Sequence, residues 1–170
     1  MDEPDRREDR AAVAPALRRF IGPDGVLQRV RLAAYAWSED DHRVLLCRIR
    51  EGQREGGRWT LPGGGLRFGE DPVEGVLREL GEETGLEGRV QALLGVHSAV
   101  LQPGETATGH RIHTVGILYR VAITGGTLRD EADGSTDLAR WVQPSEARGL
   151  PVVGLVSWAT SLVEGGLRGR

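Results

Sequence analysis

The sequence contains no lysine: all 22 of its basic residues are arginine. A Schiff-base mechanism and a Walker-type phosphate loop both need the lysine ammonium group, so both are excluded. Cysteine is nearly absent as well. Cys47 stands alone in an apolar stretch, which rules out an intramolecular disulfide and fits a reducing compartment. It reads as a small buried hydrophobe and not as a nucleophile. No apolar run approaches the roughly 20 residues that a bilayer-spanning helix requires. The N-terminal MDEPDRREDR is charged where a secretory signal would be apolar, so the expectation is a cytoplasmic protein with no membrane partner. A net charge of −3 gives no electrostatic basis for binding a nucleic-acid polymer.

What is present suits one domain. The 170 residues, 39% of them hydrophobic, are enough for a single sizeable core. Residues 1–20 alternate acids, arginine and alanine and read as a mobile arm, leaving 21–170 as the folded domain. VLQRVRLAAYAW and RVLLCRIR, separated by the polar SEDDH, read as an antiparallel strand pair. The glycine-rich GGGLRFGE reads as loop. RVQALLGVHSAVL, HRIHTVGILYRVAI and LARWV read as further strands, and PVVGLVSWATSLVEG as a closing helix. Strands alternating with two helices predict an α/β fold with a mixed sheet flanked by helices.

One helix concentrates the chemistry. Asp71 is a natural N-cap, Pro72 fits the first helical position, and Gly85 is a natural terminator. On a helical wheel, Val73, Val76, Leu77, Leu80 and Thr84 form a core-facing stripe. Glu79, Glu82 and Glu83 fall on the other side. Glu79 and Glu83 are an i,i+4 like-charge pair, which destabilises a helix unless something compensates. A hard divalent ion is the natural compensation, with Mg²⁺ favoured and Mn²⁺ the alternative. Arg78 lies between Glu74 and Glu82 on the wheel and can pair with either. Upstream, the glycines at 63 to 65 let the backbone bend and approach a ligand closely.

Taken together, Gly64, Glu70, Arg78, Glu79, Leu80, Glu82, Glu83, Gly85 and Leu86 spell G-x5-E-x7-R-E-U-x-E-E-x-G-U, with U apolar. This pattern resembles the defining box of the Nudix hydrolase family, MutT-like enzymes included, at all nine positions. WTLPGGG, leading into the box, and DGSTDLARWVQPSEA, near the end, are also similar to family passages.

The resemblance implies an α/β/α sandwich with a mixed sheet, in which a loop-helix-loop presents glutamates to one or more Mg²⁺ ions. Glu79, Glu82 and Glu83 would be metal ligands. Gly64 would lend its carbonyl or permit the turn, and Glu70 and Arg78 would brace the motif by pairing. Glu79 and Glu82 are the candidates for general base, with Arg78 counted in the catalytic set; the family also draws its base from a distant loop, a carboxylate that Glu131, Asp130 or Asp133 would supply here. Trp59 and Phe68 are near enough in sequence to stack on a base, although core packing suits Trp59 at least as well. Arg50, Arg54, Arg58 and Arg67 are candidates for phosphate contacts.

The implied activity is hydrolysis of a phosphoanhydride in a nucleoside diphosphate linked to another moiety, such as a nucleoside triphosphate. ADP-ribose or a nucleotide sugar is the alternative substrate. A non-catalytic nucleotide-binding domain is the alternative of another class. The partner is therefore a small nucleotide-like molecule, and a homodimer is left open.

Overall fold

The structure, a computed structural model, describes residues 20–168, with side chains left undescribed at 144 and from 166 onward. The arm expected at 1–20 lies almost wholly outside the described residues. Two compact units are distinguishable. The smaller draws its described residues from 20–31 and Ala99–Thr114. Within it, Arg111 donates to Asp24 at 2.6 Å, and the Arg111 amide donates to the Leu27 carbonyl at 2.9 Å.

The larger unit, Leu32–Ser98 with residues 115–168, holds the box. Its first sheet runs in the order β5-β1-β7-β6, from strands β1 (Gln28–Trp37), β5 (Gly63–Gly65), β6 (Leu86–Leu101) and β7 (Arg111–Gly126). In the second sheet β3 (Arg43–Ile49) is central, paired with β2 (Glu39–Asp40), β4 (Trp59–Thr60) and β8 (Thr136–Val142). The helices are α1 (Pro72–Thr84), the short α2 (Pro144–Ala147) and α3 (Gly154–Arg168). The registers for β1 with β5 and within the second sheet are antiparallel, and an isolated parallel bridge joins Trp59 to Val152.

Two expectations are corrected. β1 and β3 do not pair with each other. The polar turn makes a tighter hairpin, because Asp41 and His42 both take left-handed φ values, 47° and 60°. A two-residue turn of that geometry pairs Asp40 with Arg43, so Glu39–Asp40 becomes β3's neighbour and β1 is left to the other sheet. The glycine triplet is also a strand and not a loop. Gly63, Gly64 and Gly65 pair with Tyr35, Ala34 and Ala33. Glycine shows no side-chain alternation, so a period-two pattern cannot reveal it as strand.

The core lies in two layers, one beneath each long helix. Ala34, Ala36, Leu45, Leu86 and Val121 pack with Val76 and Leu80 of α1. Trp37, Leu46, Trp59, Leu61, Leu118 and Val142 pack with Val156, Ala159 and Val163 of α3. The result is an α/β/α sandwich. β3 contributes to both layers through successive residues, since alternate strand side chains point to opposite faces. Among the described residues, no helix is long and apolar enough to cross a membrane.

Candidate active site

Helix α1 begins where its sequence says it should. The Asp71 side chain accepts a hydrogen bond from the Val73 amide at 2.8 Å, and Pro72 occupies the first turn. It ends at Gly85, whose φ of 69° is left-handed and whose N–H donates to the Gly81 carbonyl. Val76, Leu80 and Thr84 are buried, which anchors the helix and fixes which way its glutamates point.

The wheel misplaces two residues. Val73 is exposed, and Glu83, placed on the side away from the apolar stripe, is 2% exposed. The reason is tertiary. Glu83 lies under the segment preceding β8 and against β5. Its Oε2 accepts from the Gly63 amide at 2.8 Å and its Oε1 from the Ser135 hydroxyl at 3.4 Å. Burial, above all, pushes its carboxyl up to about 8, with the charges of Glu79 and Glu131 adding to the effect.

Arg78 is the hub of the outer side. Its Nε and Nη2 donate to the two oxygens of Glu70 at 2.7 and 3.0 Å, a bidentate pair. Nη1 donates to Glu79 and to Glu82, both at 2.9 Å, and Nη2 also reaches the Gly65 carbonyl at 3.3 Å. Arg78 does not pair with Glu74 among these contacts. Glu70 also accepts from the Arg67 amide at 2.8 Å. The Arg78 guanidinium, first, and that amide hold the Glu70 carboxyl down at about 2. Arg67 extends over the same face, its Nη2 donating to Glu82 at 3.2 Å.

Gly64 faces Glu79. A Cβ built on Gly64 would stand 2.8 Å from the Glu79 carboxylate carbon, closer than real Cβ atoms come. The triplet therefore lets β5 lie directly against the acidic helix.

The distant loop also reaches the box. Glu131 Oε2 accepts from the Thr136 amide and hydroxyl, each at 3.0 Å, and Asp130 accepts from the Ala139 amide at 3.0 Å. Burial pushes the Cys47 thiol well up, reinforced by the charges of Glu83, Glu131 and Asp130, so Cys47 is a buried, protonated neighbour of the acidic cluster. Ser135 is the site residue that sequence reasoning missed, because a lone serine in a polar loop carries no pattern.

Other candidates go elsewhere. Trp59 is buried in the α3-side layer, with the Arg140 guanidinium 4.5 Å from its ring centroid, so it is not a base-stacking platform. Phe68 is fully exposed. Arg54 and Arg58 each pair with Glu55 at 3.1 Å.

The donor set fits a hard cation by its chemistry: carboxylate oxygens only, with more negative charge than Arg78 and Arg67 neutralise. The fit is incomplete in geometry. Among the described residues, no three His, Cys, Asp or Glu side chains form a ready cage. Arg78 holds Glu79 and Glu82 while Glu83 turns inward to Gly63, so binding an ion calls for side-chain rotation.

Comparison with known proteins agrees with this architecture. The NUDIX domain profile matches residues 27–158. An ADP-ribose pyrophosphatase of Methanocaldococcus jannaschii is 37% identical over 91 residues, 54% of this chain and 50% of that protein. A MutT-like protein of Streptomyces ambofaciens is 33% identical over 107 residues, 63% of this chain and 59% of its own length. A solved Nudix hydrolase from Nitrosomonas europaea shares the fold with a TM-score of 0.68 at 19% identity, covering 80% of this chain and 89% of that one. The fold is thus a Nudix-type α/β/α sandwich. The chain belongs to the Nudix family. It spans between half and three fifths of the length of these two curated relatives.

Proposed function

We propose that this protein is a divalent-cation-dependent hydrolase that cleaves a phosphoanhydride in a nucleoside diphosphate linked to another moiety, a nucleoside triphosphate included. The observation that carries the reading is the acidic side of α1, where Glu79 and the buried Glu83 lie against Gly64 and Gly63 and Glu82 shares an Arg78 nitrogen with Glu79. Three carboxylates so close repel any phosphate unless a cation intervenes. Glu79, Glu82 and Glu83 are the residues to hold it, with Mg²⁺ the expected ion and Mn²⁺ an acceptable substitute. A bound divalent cation would supply positive charge against the diphosphate oxygens and make nearby water more acidic.

The chain's own groups divide the remaining work. A carboxylate of Glu79 or Glu82 takes the proton as water attacks phosphorus, and the bridging P–O bond breaks toward the departing phosphate. Arg78 and Glu70 keep the two glutamates in place. Arg67, exposed beside Glu82, can turn its guanidinium to a substrate phosphate. Glu131, held by Thr136, is the alternative carboxylate for the role of base.

A substrate with two or more phosphates offers more oxygens to hold than a monoester, and so keeps the reacting group in line. ADP-ribose is the specific second reading, favoured by the likeness to the ADP-ribose pyrophosphatase of Methanocaldococcus jannaschii. The lone buried Cys47 suits a reducing compartment such as the cytoplasm.

The deciding assay is a screen of nucleoside triphosphates, ADP-ribose and nucleotide sugars with Mg²⁺, using added pyrophosphatase and phosphatase to release inorganic phosphate. Two phosphorylated products are expected, with ¹⁸O from water at a single phosphorus of one. Direct phosphate release from a nucleoside monophosphate, with no turnover of any diphosphate-linked compound, would overturn the proposal.

A further inference from the structure

The segment between β7 and β8 carries three acids, Asp130, Glu131 and Asp133, and no regular secondary structure, yet its carbonyls and that of Thr136, which opens β8, converge on one residue. Arg50, the residue after β3, donates through Nε to the Gly134 carbonyl at 3.0 Å. Its Nη2 lies within 3.0 Å of the carbonyls of Glu131 and Ala132, and 2.9 Å from that of Thr136. The Arg50 amide donates to the Ser135 carbonyl at 2.9 Å. Five backbone carbonyls between residues 131 and 136 thus meet a single arginine. Three like charges along the segment oppose its compaction.

What the loop delivers is specific. Ser135 donates to Glu83, and the Glu131 carboxylate is fastened to Thr136 at the mouth of β8. Arg50 touches neither Glu83 nor the outer glutamates in any of these contacts. Its Nε and Nη2 are directed to backbone carbonyls, which sets it apart from Arg67, whose Nη2 meets a carboxylate on the acidic face. The planar fork suits several carbonyls arranged around it, and a lysine ammonium, a single point donor, does not reproduce that spread.

We propose that Arg50 is a positioning residue: by gathering the carbonyls of residues 131–136 it holds Ser135 and Glu131 in place beside Glu83, and so sets the geometry of the acidic centre without touching substrate. This rests on reading that centre as the reactive site. Side chains that orient metal-binding groups typically change affinity or activity by about 10–100-fold when removed.

The test uses the full chain as wild type, Arg50→Ala and Arg50→Lys. Without metal or substrate, backbone amide exchange in 131–136 should accelerate about tenfold or more in Arg50→Ala, while amides of α1 keep their protection. Mn²⁺ affinity, read by electron paramagnetic resonance, should fall roughly 10-fold or more. On the best substrate of the screen, kcat should drop with KM within about threefold, ethylguanidine should restore part of it, and Arg50→Lys should not. A raised KM at unchanged kcat makes Arg50 a phosphate contact and overturns the proposal. So does unaltered exchange in 131–136.

Should Arg50→Ala fail to fold, the wild-type Arg50 Nε–H signal decides: slow solvent exchange supports the clamp, and exchange at the rate of a free arginine refutes it. A wild-type protein that hydrolyses no diphosphate sinks the hydrolase reading alone, since the exchange and Mn²⁺ measurements still judge the clamp.

Discussion

Gly64 and Glu79 are in contact across the β5–α1 junction: a methyl group on residue 64 would stand 2.8 Å from the Glu79 carboxylate carbon. Gly64 is fixed by its pairing with Ala34, so the partner that must give way is the Glu79 carboxylate, the end of a flexible side chain now held by Arg78. Gly64→Ala should therefore turn Glu79 away and lower kcat by roughly 10–100-fold, the range for displaced site groups. Steady-state kinetics beside a thermal melt checks it. Wild-type turnover in a folded Gly64→Ala protein would show that Glu79 has room to spare.

Arg78 ties three glutamates together from a largely buried position. Its truncation to alanine leaves the Glu70 carboxylate without its bidentate partner, with only the Arg67 amide still donating to it. Arg78→Ala should cost about 2–3 kcal/mol, the scale of charged hydrogen bonds lost from a protected site. Urea unfolding measures it, and Arg78→Lys should recover only part because one ammonium cannot serve both oxygens of Glu70 and the outer pair.

Glu83 makes stability without metal fall as pH rises. Its folded value, about 8, exceeds the ordinary 4.5. Below 4.5 both folded and unfolded chains are protonated there and no penalty exists. Between 4.5 and about 8 the unfolded chain releases the proton while the folded one retains it, and stability is lost. Above that the loss, on the order of a few kcal/mol, is complete. Melts in chelator from pH 5 to 9 should show the decline. Glu83→Gln should flatten it and raise the melting temperature at pH 9, because an amide oxygen still accepts from Gly63. An unchanged slope in Glu83→Gln assigns the effect to another group.

Mg²⁺ should reverse this penalty. An ion that binds only the folded chain adds about 2.7 kcal/mol at a hundredfold excess over its dissociation constant. The rise in melting temperature with Mg²⁺ should be present in wild type and lost in Glu82→Gln and Glu83→Gln. An equal rise in all three would place the ion elsewhere.

Leu80 supplies the mechanical footing of the glutamates beside it. It is fully buried against the first core layer. Leu80→Ala should cost about 2–5 kcal/mol and reduce activity only in proportion to unfolding. Denaturation and kinetics on the same samples separate these effects.

The sequence speaks clearly where the signal is local. The Asp71 cap, Pro72 and the left-handed Gly85 bound α1 through short-range chemistry, so its limits are readable without tertiary information. It is silent where a partner comes from far away. Glu83 sits on the polar arc of an isolated helix, and only Ser135, fifty-two residues on, and Gly63 make it a buried group. Arg50 looks like any exposed arginine until the carbonyls of a later loop close around it. The β1–β3 misreading has a local origin instead, since a short β2 inserted by the Asp41–His42 turn leaves apolar alternation unchanged.

β3 acts as a partition wall. Leu45 belongs to the layer beneath the acidic helix, and Leu46, one residue on, to the layer beneath α3. Sequence changes on the two sides can therefore accumulate separately, with nearly additive effects where the residues share no neighbour. A single inserted residue in the strand is another matter. It would swap the tenants of both layers at once, turning Cys47 away from the acids and the α3-side leucine toward them. Drift in size is tolerable here; drift in frame is not.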